Sequence, residues 1–247
     1  MQYGLAFGYF IQRTGGFTNL LLVTVCQFIP IVGPIVVLGY RSEVAQALVC
    51  DDELRRHPKF DFNRFVEYLT RGVWPFVMSL IIVFVAIPVI MLVLLASILI
   101  GAAANLLEVG IAVGVGFYIL ALFLVIAFSV PMTFHAELAG KFDLKGAFRF
   151  AKEFWSTVGG SAILTGLVFV PLSLIVALLG LLCLIVGVYF ASTISQMAGQ
   201  HLMVQLYVEY LERGGSPIRE YDPRDQYEDD EEFEDDRDDR RRRRRDE

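Results

Sequence analysis

The sequence predicts an all-α, polytopic transmembrane helical bundle, built from repeated units of an interfacial amphipathic helix plus a transmembrane hairpin. Three observations carry this prediction. Of the 247 residues, 55% are hydrophobic and only 19% charged, whereas a soluble domain is nearer half apolar and a quarter charged. The apolar residues fall in long, nearly unbroken runs. The charged residues gather in the connections between those runs and in the last 34 positions. An ordinary soluble globular enzyme is excluded on these grounds.

Crossing about 30 Å of hydrocarbon takes roughly 20 apolar residues in a helix. Four runs meet that length: 73–100, 109–134, 158–179 and 181–197, the last continuing as a helix to about 212 because apolar residues persist at helical spacing. A fifth run, 17–40, carries Pro30, Gly33 and Pro34 in its middle. Proline in a helix interior removes a hydrogen bond and clashes with the preceding turn. Segment 17–40 is therefore broken or re-entrant: one kinked span, or a short hairpin of two half-helices. Together these segments make a membrane domain over 1–213, followed by a charged tail over 214–247.

Charge sets the orientation. Residues 1–213 hold 12 Lys+Arg and 12 Asp+Glu, while the tail holds 9 Arg and 15 Asp+Glu and so supplies the whole net charge of −6. Connection 41–72 carries Arg41, Arg55, Arg56, Lys59, Arg64 and Arg71, and connection 140–157 carries Lys141, Lys145, Arg149 and Lys152. The opposite connections, 101–108 and the one at Gly180, have no Lys or Arg. Basic residues stay in the cytoplasm, which places both basic connections and the C-terminus there and the chain in the cell membrane. A hairpin at 17–40 also puts the N-terminus inside; a full span there puts it outside. No basic n-region precedes the first apolar run, so no cleavable signal peptide is expected.

An internal repeat favours the hairpin. FDFNRFVEYLTRGVWPF from Phe60 resembles FDLKGAFRFAKEFWSTV from Phe142. Each opens with Phe-Asp, carries a tryptophan further on (Trp74, Trp155), and leads into an apolar helix with a proline (Pro88, Pro171). The N-terminal region resembles a truncated third copy. Stretches 60–72 and 142–156 interleave aromatic with basic residues, a pattern that lies flat at a membrane surface, and Trp74 and Trp155 are the interfacial anchors at headgroup level.

The run Ile-Pro-Ile-Val-Gly-Pro, then Leu38-Gly39-Tyr40-Arg41, a short acidic turn at Asp51, Asp52 and Glu53, and Pro58-Lys59-Phe60-Asp61-Phe62 resemble the prokaryotic integral-membrane family catalogued as domain of unknown function 4013. The resemblance covers about residues 1–213. More distantly, the layout is similar to the membrane domain found with some glycerophosphodiester phosphodiesterases. What the resemblance implies is a fold and a membrane location; it carries no catalytic motif.

Direct inspection finds no HExxH, Walker A loop or GxSxG elbow, and no enzymatic activity is expected. His135-Ala136-Glu137 lacks a third metal ligand at usable spacing and reads as a helix end emerging at the cytoplasmic interface. Cys26, Cys50 and Cys183 are too far apart for a metal set and read as reduced thiols. No cofactor is implied. The polar last segment offers a possible intramembrane path along Gln196, Gln200, His201 and Gln205, with helix–helix hydrogen bonding as the alternative. Gly110 and Gly114 form a small-residue packing surface. The tail has almost no apolar content and should be disordered. Its Arg240, Arg241, Arg242, Arg243, Arg244 and Arg245 are candidates for contact with anionic lipid or a partner protein; nucleic acid is not expected as a partner. The function expected is a non-enzymatic membrane scaffold or accessory protein, in contact with membrane lipids and with another membrane or cytoplasmic protein through the tail. The alternative is a transporter or channel for a small or lipid-like molecule.

Overall fold

A computed structural model describes residues 1–10, 16–50 and 57–218, with only the backbone at 184 and 185. Among the described residues every regular element is helical: α1 (Tyr3–Gly8), α2 (Gly16–Cys26), α3 (Val32–Val49), a 3-10 turn (Phe62–Arg64) leading into α4 (Phe65–Ala103), α5 (Leu107–Ala139), α6 (Leu144–Leu181) and α7 (Leu184–Glu212). The all-α class is as the composition predicts.

Segment 17–40 is interrupted between α2 and α3. Pro30 lies in the turn, and Pro34 lies in the first turn of α3, where backbone amides need no intrahelical acceptor. Both prolines thus sit where they do no damage. Between them Ile31 takes φ 65° and ψ −56°, and the Val32 amide donates to the Pro30 carbonyl at 2.7 Å. This is a strained γ-turn, unusual for a β-branched residue. The turn is tight because position 33 is glycine: a Cβ there would lie 1.9 Å from the Cys26 carbonyl oxygen. At 11 residues, α2 is about 17 Å long, too short to cross a bilayer alone.

The two long hairpins, α4–α5 and α6–α7, begin alike. Asp61 accepts the Asn63 amide at 2.9 Å, and Asp143 accepts the Gly146 amide at 2.8 Å. Each is an N-cap that satisfies a donor the helix leaves open. The α4–α5 turn closes with Asn105 at φ 55°, the Asn105 amide on Ala102 and the Leu106 amide on Gly101, a Schellman arrangement in which Asn tolerates the left-handed conformation. Both hairpin tips close on paired glycines. A Cβ on Gly101 would lie 2.6 Å from the Gly110 Cα, and one on Gly180 would lie 2.5 Å from the Gly187 carbonyl oxygen. The small-residue surface at Gly110 and Gly114 therefore faces α4 of the same chain.

Among the described residues three helices are long and apolar enough to cross a membrane: 62–103, Leu107–Ala139 and Leu144–Leu181; only 6% of the residues in each apolar stretch are buried in the protein. The structure differs from the sequence reading at α7. Of segment 181–212, residues 184–212 form α7, which does not reach the apolarity of the other three. The reason is its interior role: residues 200–207 are all buried, among them Gln200, His201 and Gln205.

In α5 the change from exposed to buried comes at Pro131: residues 131–139 are almost all buried, and those before are mostly exposed. Pro131 has no N–H, so the carbonyl of Ala127, one turn back, loses its helical donor. The Trp155 indole N–H from α6 donates to that carbonyl at 2.8 Å. A cross-helix bond thus replaces the missing intrahelical one.

This assignment has a direct test. Trp155→Phe should lower stability by about 1–3 kcal/mol by leaving the carbonyl unsatisfied, read from chemical unfolding of the full chain in detergent. In a Pro131→Ala background the helix regains its own donor, and the same substitution should be markedly less damaging. Equal losses in both backgrounds would show that Trp155 contributes by packing alone.

Candidate functional site

The highest concentration of buried polar groups lies where α1, α3, α5 and α7 meet. Its centre is a closed triangle of side chains. Arg41 donates to Gln200 Oε1 from Nε at 3.2 Å and from Nη2 at 2.6 Å. Gln200 Nε2 donates to Glu137 Oε2 at 2.8 Å. Arg41 Nη2 lies 3.1 Å from Glu137 Oε1, and the Glu137 side chain is 1% exposed. Burial pushes the Glu137 carboxyl up, against the opposing pull of Arg41 and of the Gln200 hydrogen bond.

A second layer surrounds the triangle. Gln205 Nε2 lies 2.9 Å from His201 Nδ1, and Gln205 Oε1 accepts the Gln2 amide at 2.7 Å, which ties the N-terminus to α7. The Tyr9 ring packs 4.6 Å from the His201 ring and 5.2 Å from the His57 ring. The Tyr40 hydroxyl donates to the Pro58 carbonyl at 2.8 Å, and the Asn19 amide of α2 meets the same carbonyl at 3.3 Å. Asn19 also accepts the Phe60 amide. Both arms of the α2–α3 hairpin are thereby fastened to segment 57–60.

The motif Leu38-Gly39-Tyr40-Arg41 acquires a physical meaning here. Gly39 and Gly72 let α3 and α4 cross backbone to backbone: a Cβ on Gly39 would lie 1.8 Å from the Tyr68 carbonyl oxygen. Tyr40 holds Pro58, and Arg41 holds Glu137 and Gln200. The Phe-Asp element is as specific. Phe60 stacks 5.1 Å from Tyr68, and Asp61 caps the 3-10 turn that leads into α4.

The four candidate path residues divide. Gln200, His201 and Gln205 come together in this buried cluster. Gln196 is half-buried and donates to Ser192 Oγ at 3.0 Å, away from it. Deeper along α7, Thr193 is fully buried and is reached by Thr24 of α2 at 2.9 Å and by Gln27, just past its end, at 2.8 Å. The α2 end thus covers the polar face of α7. Trp74 is 40% exposed, with its ring 6.5 Å from Phe142, and Trp155 is half-buried on Ala127. Arg240, Arg241, Arg242, Arg243, Arg244 and Arg245 lie outside the described residues. Among the described residues, no three His, Cys, Asp or Glu side chains are placed to hold a metal ion.

Sequence reasoning missed Arg41 and Glu137 as partners. Glu137 does not emerge at an interface; it is buried. A lone acid flanked by apolar residues at the end of a long helix was the available signal, but its cation lies far away in sequence.

Breaking a buried ion pair by removing one partner is costlier than removing the charges together. Arg41→Met alone should destabilise by about 3–5 kcal/mol. Arg41→Met combined with Glu137→Leu and Gln200→Leu should lose clearly less, in the same detergent unfolding measurement. A triple variant as unstable as the single one would contradict the triangle as the source of the effect.

A family model described as protein of unknown function (DUF4013) matches residues 22–188. No curated protein and no solved structure matches the chain. The matched region runs from α2 to the first turn of α7 and includes the Leu38–Arg41 motif, Phe60-Asp61 and Glu137, while Gln200, His201 and Gln205 lie beyond it. Covering more than half of the chain, the match shows that this protein belongs to the DUF4013 family of proteins of unknown function.

Proposed function

We propose that the chain is an integral membrane protein of the cell membrane, with α4, α5 and α6 crossing the bilayer over 73–100, 109–134 and 158–179. The observation that carries this reading is the apolar surface of those three helices, almost none of which is covered by protein. In water such a surface would drive aggregation; in lipid it is the expected exterior. As the antiparallel partner of α6, α7 returns through the membrane with its polar face turned inward. The α2–α3 hairpin enters from the cytoplasmic side and shields that face. Its tip supports this placement, being wholly apolar and open, with Phe28, Ile29 and Ile31 all exposed.

Within that placement the chain acts as a non-enzymatic scaffold or accessory protein. The support is that the buried polar groups of the central cluster are engaged with one another, as locks between helices: Arg41, Glu137 and Gln200 in one set, His201, Gln205 and the Gln2 backbone in another. The cytoplasmic end is charged and presents the tail to a partner. A transporter for a small or lipid-like molecule is the second reading. It is favoured by the burial of Gln200, His201 and Gln205, which face the protein and not the lipid.

Two measurements test this. Single cysteines at Ala104 and Ser216, in a background without Cys26, Cys50 and Cys183, should react differently with an impermeant maleimide on intact cells. Position 104 should be labelled at once, and position 216 only after permeabilisation. The reverse pattern would invert the topology. Full-length chain and chain ending at Tyr221, purified gently, then separate the two functions. A stoichiometric protein partner held only by the full-length form is the scaffold outcome, whereas a tightly held solute in both forms, lost in Gln200→Leu, is the transporter outcome.

A further inference from the structure

At the base of the α5–α6 turn lies a cavity of about 210 Å³ whose lining includes His135, Lys141, Asp143, Arg149 and Glu153 from around that turn, together with Tyr210 and residues 216–218. This is smaller than the 300–1,000 Å³ or so that drug-sized ligands occupy, a volume suited to a headgroup or a small ester. Its charged groups are unequally engaged. Of the two acids, Asp143 accepts the Gly146 amide as the cap of α6, and Glu153 accepts the Tyr210 hydroxyl at 3.1 Å. Tyr210 in turn accepts the Ser216 amide at 2.9 Å. The two cations are exposed and take part in none of the ion pairs or hydrogen bonds of the described residues: Lys141 in the turn and Arg149 two turns into α6.

His135 adds the second observation. It lines the same cavity, is only 9% exposed, and its Nδ1 is buried with no hydrogen-bond partner. A buried polar atom left unsatisfied is costly, and natural structures rarely keep one without a reason. Burial holds the imidazole below its ordinary value, with Asp143 opposing and Lys141 and Arg149 reinforcing that shift. In either protonation state an imidazole carries at least one N–H that it can donate. Two unpaired cations at the rim and an unpaired imidazole in the wall are complementary to an anion that offers several acceptor oxygens, and a phosphate group has that chemistry.

We propose that this cavity binds a phosphate ester, with Lys141 and Arg149 holding its charge and His135 donating a hydrogen bond to one oxygen. Two sources share this chemistry, the headgroup of an anionic phospholipid and a soluble phosphate monoester. Phe142, Leu144 and Phe148 are exposed apolar neighbours on the same turn, and they would meet an acyl chain. The inference stands apart from the choice between scaffold and transporter, because neither reading uses this cavity.

The test uses the full-length chain in mild detergent, titrated separately with dioleoyl phosphatidate, with dioleoylglycerol as the phosphate-free control, and with glycerol 1-phosphate. Native mass spectrometry reads the lipids and thermal stabilisation reads the soluble ester. The expected result is one phosphatidate per chain in strong preference to dioleoylglycerol. Lys141→Gln with Arg149→Gln removes two exposed cations without breaking a contact and should weaken binding about 25-fold, from two basic residues each worth a factor of about five. His135→Phe should weaken it too, with the rim charges intact. Stabilisation by glycerol 1-phosphate, lost in the double variant, assigns the site to a soluble ester; binding of phosphatidate alone assigns it to a lipid headgroup. Equal phosphatidate binding by the parent and the Lys141→Gln, Arg149→Gln chain, or no binding of either phosphate probe, overturns the proposal.

Discussion

The ion pair between Arg41 and Glu137, closed by Gln200, is the constraint on which the rest of the architecture depends. It is one contact among three elements that are not consecutive. α3 belongs to the N-terminal hairpin, α5 to the first long hairpin and α7 to the second. Without it, the two long hairpins would still close on their own glycine tips, and α2–α3 would keep its ties to α4 through Glu43 and to α7 through Thr24 and Gln27, but no side-chain contact would join α3, α5 and α7 at one point. Burying charge is unfavourable unless the charges are paired and their remaining valences satisfied. Here the charge of Glu137 is paired with Arg41 and its Oε2 is bonded to Gln200, and the triangle therefore selects one arrangement of three helices over the many that apolar packing alone would accept.

A second theme is the repair of backbone defects. Long apolar helices tolerate proline when another group takes up the carbonyl it abandons. Trp155 does this for Ala127 across the α5–α6 contact. The prolines of the α2–α3 hairpin need no repair, because one lies in the turn and the other in the first turn of α3. The same residue type thus has two meanings, a cross-helix bond in one place and a chain reversal in the other. The two Phe-Asp elements provide a common start for the long hairpins, Asp61 as the cap of the 3-10 turn leading into α4 and Asp143 as the cap of α6.

Much of the fold was legible in the sequence because its signals are local. Runs of apolar residues, Asp before a helix, Gly at a tight tip and proline pairs each act within a few positions. Helix class and approximate extents follow from them. The site was legible in half: the polar residues Gln196, Gln200, His201 and Gln205 marked α7 as the helix with an interior polar side, but not which of them face the protein core or what meets them there. Arg41 read as one of six basic residues in a cytoplasmic connection, and Glu137 as an acid leaving the membrane. Their pairing depends on the docking of α3 against α5, and no local pattern encodes that. Trp155 is similar. The missing N–H of Pro131 can be read from the sequence, but the donor that replaces it is fixed by the register of α6 against α5. The apolarity of α7 was overread because alternating polar residues look the same whether they face a solute path or a neighbouring helix.

The central claim is that the Arg41 triangle fastens a short hairpin whose tip lies within the bilayer beside α7. The most direct measurement is the accessibility of a nitroxide at position 31, the exposed tip residue, with the full chain in lipid nanodiscs. Labels at Leu167 and Lys59 calibrate the lipid and water extremes. The account predicts collision with oxygen in preference to a water-soluble nickel complex at position 31, and a shift towards the nickel complex in Arg41→Met. A label at position 31 as open to the nickel complex as the one at Lys59, with Arg41 intact, would contradict it.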